Sequence, residues 1–372
     1  MIVTPEEDVL ETQDDSLDYD EDLVEEYFSS TRIKLLFIFI LLVVCIVSSL
    51  YSMTMYGEWM PLSRVLQLIA DHISGAEYEI RSQDWFDDVT VWETALPRLL
   101  FAIIAGIGLA VAGASMQSTM NNPLADPYTV GVSSGACLGL AIAMTIGFSV
   151  NYGGLPGILT FAFIFAMFPL FAIVVFAPRT RSSPSTLILA GVALSYLFNS
   201  LNTIIMVTVD AETLESIYKW QVGSLTGIRW ANIPLSFITV TIGTVMVALL
   251  SRKLNVLSMG DASASSLGID PDNLRIICLL AIAFIVGAVV GSAGVIGFVG
   301  LVTPHIARML LGSDNRFVLP ASALMSVTFI VLADFLCRIL DEYDAIPVGA
   351  MIALIGAPIF LYLIVRRKSR VW

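Results

Sequence analysis

The chain has 372 residues, of which 57% are apolar and only 14% are charged, and its mean hydropathy is +0.84. A soluble domain carries about a quarter charged residues, so this composition excludes a disordered chain, a coiled coil and a secreted disulfide scaffold. So much apolar surface in a chain of this length indicates a protein of the lipid bilayer.

The amino end carries most of the net charge of −13. Residues 1–31 hold twelve acidic residues and no Lys or Arg, which leaves the rest of the chain nearly neutral. The segment lacks the basic region and the cleavage site of a signal peptide. We therefore expect residues 1–31 to form an acidic, disordered cytoplasmic tail and residues 32–372 to form one transmembrane domain.

Runs without charged residues mark the membrane helices, because one crossing needs about 20 mainly apolar residues. The runs are 35–57, 99–125, 127–178, 182–209, 230–251, 276–307, 317–333 and 345–365. Two of them are too long for one crossing and divide at the turn signals in 151–157 and 291–294. The last piece of the second, about 297–311, is a short helix. The pattern predicts an all-α polytopic protein with about ten transmembrane helices.

The basic residues orient the chain, since cytoplasmic loops carry an excess of Lys and Arg. With both termini in the cytoplasm, 13 of the 19 basic residues fall on the cytoplasmic side. In that orientation residues 52–96 form an external segment and residues 252–275 form a cytoplasmic segment.

Helices two and seven are rich in small residues, which let helix backbones approach closely in lipid. These residues are Gly106, Gly108, Ala110, Ala112, Gly113 and Ala114 in helix two and Gly287, Gly291, Ala293 and Gly294 in helix seven. A faint similarity joins Pro97–Gly113 to Leu274–Gly294, and the two stretches begin on opposite sides of the membrane. It predicts an inverted-repeat relation between helices 2–5 and 7–10.

The polar residues fit a transporter better than an enzyme. None of the four lysines follows a glycine, so the sequence has no Walker A motif, and it shows no catalytic set or metal-binding cluster. The deepest charged residue is Asp334, which can pair with Arg338 one helical turn later. We expect this chain to bind no cofactor, metal or nucleic acid, and we expect its energy source to lie on another chain.

Three segments do not have the composition of ordinary loops. They are Met120–Gly135, with its Asn-Pro and Asp-Pro pairs; Leu257–Ile269, a run of small residues suited to a short helix in a partner's cleft; and Gly294–Arg308. Irregular backbone at membrane depth is tolerated only against protein or a water-filled path. The segments are therefore candidates for the functional parts of the chain.

At these segments the chain resembles the permease subunits of ATP-binding-cassette (ABC) importers for iron chelates and cobalamin, the FecCD type. The matching pieces are Leu96-Pro-Arg98, Asn122-Pro-Leu-Ala-Asp-Pro127, Gly131-Val-Ser-Ser-Gly135, Leu189-Ala-Gly-Val-Ala193, Gly223-Ser-Leu225, 257–269, Gly297-Phe-Val-Gly-Leu-Val-Thr-Pro-His305, Ala333-Asp334 and Ile346-Pro-Val-Gly…Leu354-Ile-Gly-Ala-Pro358. They run in order over about residues 96 to 367. The acidic tail and residues 52–95 depart from the family pattern, so their roles stay open.

The resemblance implies the fold of a type II ABC importer permease and a homodimer of ten-helix subunits with the transport path between them. Two ATPase subunits, which carry ATP and magnesium, would bind on the cytoplasmic side, and an external binding protein would deliver the substrate. The implied site residues are Asn122 and Leu124 at the cytoplasmic gate, Ser185 and Thr186 near the inner end of the path, Gly260, Asp261, Ala262, Ala264, Leu267 and Gly268 in the ATPase-coupling segment, and Arg98 and Arg338 for docking of the binding protein.

Two other classes of function stay open beside an ATP-driven importer subunit in the cell membrane. One is a self-powered secondary transporter with inverted repeats, and the other is a membrane anchor or receptor whose acidic tail recruits a soluble protein. Within the importer class, the frequencies of substrates in the family favour an iron–siderophore over cobalamin or haem.

Overall fold

The part of the chain that the structure, a computed structural model, describes is almost entirely helical; it comprises residues 31–56, 58–147, 154–176, 184–341 and 346–366. The helices are α1 (Thr31–Ser52), α2 (Leu62–Ser74), α3 (Gln83–Val89), α4 (Leu96–Thr119), α5 (Val132–Thr145), α6 (Gly154–Phe176), α7 (Pro184–Thr208), α8 (Ala211–Gln221), α9 (Ile233–Leu249), α10 (Ser251–Leu257), α11 (Asp261–Ser266), α12 (Pro271–Ala293), α13 (Val299–Leu311), α14 (Asn315–Leu340) and α15 (Val348–Arg366). Two strands of two residues, β1 (Met55–Tyr56) and β2 (Glu58–Trp59), form an antiparallel hairpin after α1. Residues 1–30 of the expected tail lie outside the described residues.

Ten of the described helices contain the apolar stretches expected of a multi-pass membrane protein. Helices α1, α4, α7, α9, α12 and α14 belong to helical runs long and apolar enough to cross a membrane, and α5, α6, α13 and α15 contain shorter apolar stretches. A π-helical turn at Thr90–Ala95 joins α3 to α4, so that Gln83–Thr119 is one continuous run. The two longest charge-free runs each hold two helices, as predicted, and α12 ends at Gly294 with a φ of 75°.

Helices α4 and α12 form the centre of the bundle. The most apolar stretch of each is 78% and 72% buried, respectively, whereas in α1 and α7 only 17% is buried. A Cβ on Gly113 would lie 1.8 Å from the carbonyl oxygen of Gly300, so α4 and α13 are in backbone contact there. The small residues of α4 therefore act as predicted, because they let neighbouring helices pack against its backbone.

The predicted external segment is folded and covers one end of the bundle. Nδ1 of His72, on α2, lies 3.0 Å from the carboxylate oxygens of Asp88, on α3, which accept its hydrogen bond. The His72 ring stacks on Trp92, with the ring centroids 4.0 Å apart. Trp230 donates from Nε1 to the carbonyl oxygen of Trp92 at 2.9 Å, and this bond fastens the segment to the start of α9. We call this end, where α4 begins and α14 finishes, the hairpin end.

Candidate functional site

The predicted coupling segment contains a short helix, α11, which packs against α10 and α12. Gly260 turns the chain into α11 with a φ of 104°, and Gly268 turns it out with a φ of 75°. A Cβ at either position would meet nothing within 4 Å. The two glycines are therefore required by the backbone conformation, which L-residues with side chains rarely adopt.

One face of α11 is exposed and the other is buried, which corrects one sequence-based expectation. Asp261, Ala262 and Leu267 are exposed, Leu267 by 65%, but Ala264 is fully buried. The expectation that Ala264 lies against a partner is wrong, because its side chain fills the contact between α11 and the chain's own helices. Its carbonyl oxygen also accepts a hydrogen bond from the backbone N–H of Ile269 at 3.0 Å. The face open to a partner carries small side chains and Leu267.

A buried arginine at the start of α12 holds α11 in place. Arg275 is 1% exposed, and its Nη1 donates to Oδ2 of Asp261 at 3.0 Å while Nη2 donates to Oδ1 of the same carboxylate. Its Nε donates to the carbonyl oxygen of Thr119, the last residue of α4, at 3.2 Å. We call this end of the bundle, where α4 finishes and α12 begins, the coupling end.

A second buried arginine connects four helices at the coupling end. Nη2 of Arg308, on α13, donates to the carbonyl oxygen of Ala114 at 3.0 Å, to Oγ of Ser118 at 2.8 Å and to Oδ1 of Asn315 at 3.1 Å. The side-chain amide of Asn315 donates to Oδ1 of Asn255 at 2.8 Å, so that α10 joins the same network. Sequence reasoning assigned no role to either arginine, although a charged residue inside an apolar helix is a signal that could have found both.

Carboxylates cap the helices that begin at the coupling end. Oδ1 of Asp270 accepts from the backbone N–H of Asp272 at 3.0 Å, and Oδ1 of Asp314 accepts from the backbone N–H of Arg316 at 3.0 Å. Burial alone would raise the pKa of Asp314, but hydrogen bonds from Arg316 and Asn255 outweigh it and hold that pKa below its ordinary value. Asp314 is therefore charged at neutral pH, as suits the amino end of a helix.

The predicted gate residues lie in one tight turn between α4 and α5, residues 120–125, which we call the gate turn. Oδ1 of Asn122 accepts a hydrogen bond from the backbone N–H of Leu124 at 3.0 Å, and Asn121 has a φ of 46°. The side chain of Leu124 is 50% exposed. Further along the segment, the hydroxyl of Tyr128 donates to the carbonyl oxygen of Ile296 at 3.1 Å. The irregular segment is thus fixed by specific hydrogen bonds and presents Leu124 outward.

The predicted path residues lie in the first turn of α7, away from the core. Ser185 is exposed and Thr186 is half-buried. Leu189, Val192 and Tyr196 follow Ser185 at helical spacing and are exposed as well. This face of α7 is uncharged, and the described part of the chain leaves it uncovered.

A polar cavity of about 290 Å³ lies beside α7 and was not anticipated from the sequence. Its lining includes hydroxyl or amide groups from Tyr128, Ser133, Ser195, Asn199 and Gln221, and no charged side chain is among its described lining residues. Hydroxyl and amide groups can hydrogen-bond a polar solute without attracting free ions. The cavity therefore suits contact with an uncharged part of a transported molecule.

The two arginines predicted to dock a binding protein are buried at the hairpin end. Arg98 is 3% exposed and Arg338 is 6% exposed. Both pair with Asp334: Nη2 of Arg98 lies 2.9 Å from Oδ1, and Nε of Arg338 lies 3.2 Å from Oδ2. The ring of Tyr56, 4.1 Å from the Arg338 guanidinium carbon, covers this ion triad.

Residues that dock another protein are normally exposed, and neither arginine is. The sequence suggested only the local partner of Arg338 and not the third member, Arg98. The predicted ion pair between Asp334 and Arg338 is confirmed. Docking of a binding protein through Arg98 and Arg338 stays a prediction, and it would require the triad to open.

Comparison with known proteins agrees with this arrangement of helices. The model of the FecCD transport family matches residues 40–366. The cobalamin import system permease protein BtuC of Halobacterium salinarum is 37% identical over 76% of this chain and 75% of the relative. The hemin transport system permease protein HmuU of Yersinia pestis is 34% identical over 74% of this chain and 83% of the relative.

A solved structure gives the same result at the level of the fold. An inward-facing ABC transporter assigned to the metal-chelate type superposes with a TM-score of 0.76 at 29% identity, over 89% of this chain and 99% of the other. The family model covers most of the chain, including α4, the gate turn, α11 and α13, and the two relatives each cover about three quarters of the chain. The chain belongs to the FecCD transport family and is a permease subunit of the ABC importer type, not an enzyme.

Proposed function

We propose that this chain is the membrane subunit of a homodimeric importer that moves a bulky metal chelate into the cytoplasm. ATP and magnesium bind to two separate ATPase subunits at the coupling end, and a binding protein delivers the chelate at the hairpin end. The chain itself binds no cofactor. Ten crossings place both termini and α11 in the cytoplasm and residues 52–96 outside.

The observation that carries this proposal is the exposed face of α11 next to the gate turn. A helix of small residues with one exposed leucine suits insertion into a cleft of another protein. Arg275 fastens α11 to the end of α4, three residues before Asn122. Movement of a partner at α11 would thus reach the residues proposed as the gate, Asn122 and Leu124.

Matching features at opposite ends of the bundle support an inverted repeat between the second to fifth and the seventh to tenth predicted transmembrane helices. These helices are α4–α7 and α12–α15. Helices α4 and α12 each begin with a buried arginine paired to an aspartate, Arg98 with Asp334 and Arg275 with Asp261. Each helix is followed by an irregular break and a shorter apolar helix, α5 or α13. Two pseudo-symmetric halves of this kind are common in transporters.

The substrate we propose is an iron–siderophore, with cobalamin and haem as the alternatives within the same class. The uncharged face of α7, which begins with Ser185 and Thr186, and the hydroxyl-lined cavity suit a large, mostly uncharged solute. This cavity, of about 290 Å³, is small for such a molecule, and in the proposed homodimer the second subunit would complete the path. The relatives named above carry cobalamin and hemin, which are both metal chelates.

Uptake by cells with and without the gene tests the substrate class. Cells that lack the gene are given a radiolabelled ferric siderophore, cobalamin or hemin, each at a concentration limiting for growth. We expect uptake of one of the three to be lost and then restored by the wild-type gene. Unchanged uptake of all three would contradict the proposal that the cargo is a metal chelate of these classes.

A further inference from the structure

Arg275 is the largest fully buried side chain in the described part of the chain. It lies in the second turn of α12, and its 1% exposure leaves almost no contact with water. A charged group at such a site is tolerated only when it is paired and hydrogen-bonded. The partners of its guanidinium therefore show which elements the residue holds together.

Three helices meet at this guanidinium. Asp261, the first residue of α11, receives a two-point hydrogen bond from Nη1 and Nη2, and the carbonyl oxygen of Thr119 receives one from Nε. The last carbonyl groups of a helix have no partner within their own helix, and they attract cations. Because the guanidinium is planar and its donors are fixed relative to one another, the positions of Asp261 and Thr119 are tied to each other.

The gate turn begins directly after Thr119. The backbone N–H of Asn122 donates to the carbonyl oxygen of Gln117 at 3.0 Å, so this turn is hydrogen-bonded to the last turn of α4. The side chain of Arg275 therefore bridges the exposed helix α11 and the end of α4, which the turn with Leu124 follows.

We propose that Arg275 is the positioning residue that couples α11 to the gate. When an ATPase subunit displaces α11, the contacts of Arg275 with Asp261 and Thr119 carry the displacement to the end of α4, and Leu124 moves with it. This inference rests on the proposed function, in which α11 binds the ATPase and Asn122 and Leu124 form the gate.

The test measures the gate directly and needs no knowledge of the substrate. Leu124 is replaced by cysteine in a chain whose four native cysteines are alanine, and the chain is studied with its co-purifying ATPase in inside-out vesicles. An impermeant maleimide reports the labelling rate with and without ATP–vanadate trapping. We expect trapping to change the rate about fivefold or more in the otherwise wild-type chain, and by less than about 1.5-fold with Arg275→Gln.

Further variants distinguish coupling from a merely structural role. Asp261→Asn removes the ion pair with Arg275 by changing its more exposed member, Asp261, and should abolish the change in labelling rate. Asp261→Glu keeps the charge and should give a larger change than Asp261→Asn. Arg316→Gln is the matched control, since Arg316 is an exposed arginine that pairs with Asp314 at the same end. It should leave the response intact. The amount of trapped nucleotide is measured in every variant and should not differ.

Two results overturn the inference in distinguishable ways. A full labelling response in Arg275→Gln or Asp261→Asn, with normal nucleotide trapping, shows that the gate moves without this contact. If Arg275→Gln does not fold, the labelling response of Asp261→Asn alone decides whether the contact is needed. If ATP–vanadate trapping does not change the labelling rate in the otherwise wild-type chain, the proposed gate is refuted, and so is the inference about Arg275.

Discussion

The ion triad of Arg98, Asp334 and Arg338 shows how a single buried carboxylate can organise the hairpin end. Two guanidiniums share the two oxygens of Asp334, and Arg338 also donates to the carbonyl oxygens of Ser52 at 2.9 Å and of Met55. These contacts join α4 and α14 to the end of α1. Because each member is nearly inaccessible to water, loss of the carboxylate would leave two cations buried.

We expect Asp334→Asn to destabilise the folded chain by about 3–5 kcal/mol, the usual cost of removing one partner from a buried ion pair. Thermal unfolding of the purified chain in detergent measures the change. Asp84→Asn is the control, because Asp84 pairs with Arg64 at an exposed site where a pair contributes about 0–1 kcal/mol. Equal midpoints for the two variants would contradict the structural role of the triad.

The triad also shows what the sequence could not predict. Arg98 and Asp334 are 236 positions apart, and they meet because α4 and α14 approach closely: a Cβ on Gly106 would lie 2.7 Å from Cα of Val327. Local spacing revealed the pair of Asp334 with Arg338, four residues apart. A contact between distant helices depends on packing that no local pattern encodes.

At the scale of elements, the charge-free runs predicted the apolar helices and missed the amphipathic ones. A charge-free run of about 20 residues is the pattern expected of a membrane helix, and each of these runs contains one or two of the described apolar helices. Helices α2 and α8 carry charged residues and lie outside these runs, so the charge-free runs missed them. The helical spacing of Leu62, Val65, Leu66, Ile69 and Ile73 is the signal that could have found α2. The same limit explains Ala264: composition identified α11 but not which of its faces packs inward.

The exposed face of α11 makes a prediction about ATPase binding. We expect Leu267→Asp to reduce co-purification of the ATPase, because it places a charge in a contact that excludes water. Ile73→Asp is the control, since Ile73 is comparably exposed, at 72% against 65%, but lies on α2 in the predicted external segment. Quantitative immunoblotting of the purified complex measures the effect. Undiminished ATPase with Leu267→Asp would mean that α11 is not the contact.

The contact of α4 with α13 makes a second prediction at this scale. Gly113→Ala should destabilise the chain by about 1–3 kcal/mol, because the new Cβ would overlap the backbone of Gly300 and the helices must separate. Gly291→Ala is the matched control, since its Cβ would come no closer than 3.4 Å to its nearest neighbour. Unfolding midpoints that fall equally for both would contradict the packing described.

At the scale of the molecule, the proposed orientation in the membrane rests on the distribution of the basic residues and can be tested on exposed serines. In a chain without native cysteines, Ser74→Cys on α2 should react with an impermeant maleimide in intact cells. Ser266→Cys on α11 should react only after the membrane is opened. Labelling of Ser266→Cys but not of Ser74→Cys in intact cells would reverse the proposed topology.

We propose that this chain moves its substrate only when a separate subunit hydrolyses ATP. The measurement that tests it most directly is uptake into liposomes that contain either the chain alone or the chain with its co-purifying ATPase, with ATP inside and the binding protein with its chelate outside. We expect uptake only when both the ATPase and ATP are present. Uptake by the chain alone, driven by an ion gradient, would contradict it and identify a secondary transporter.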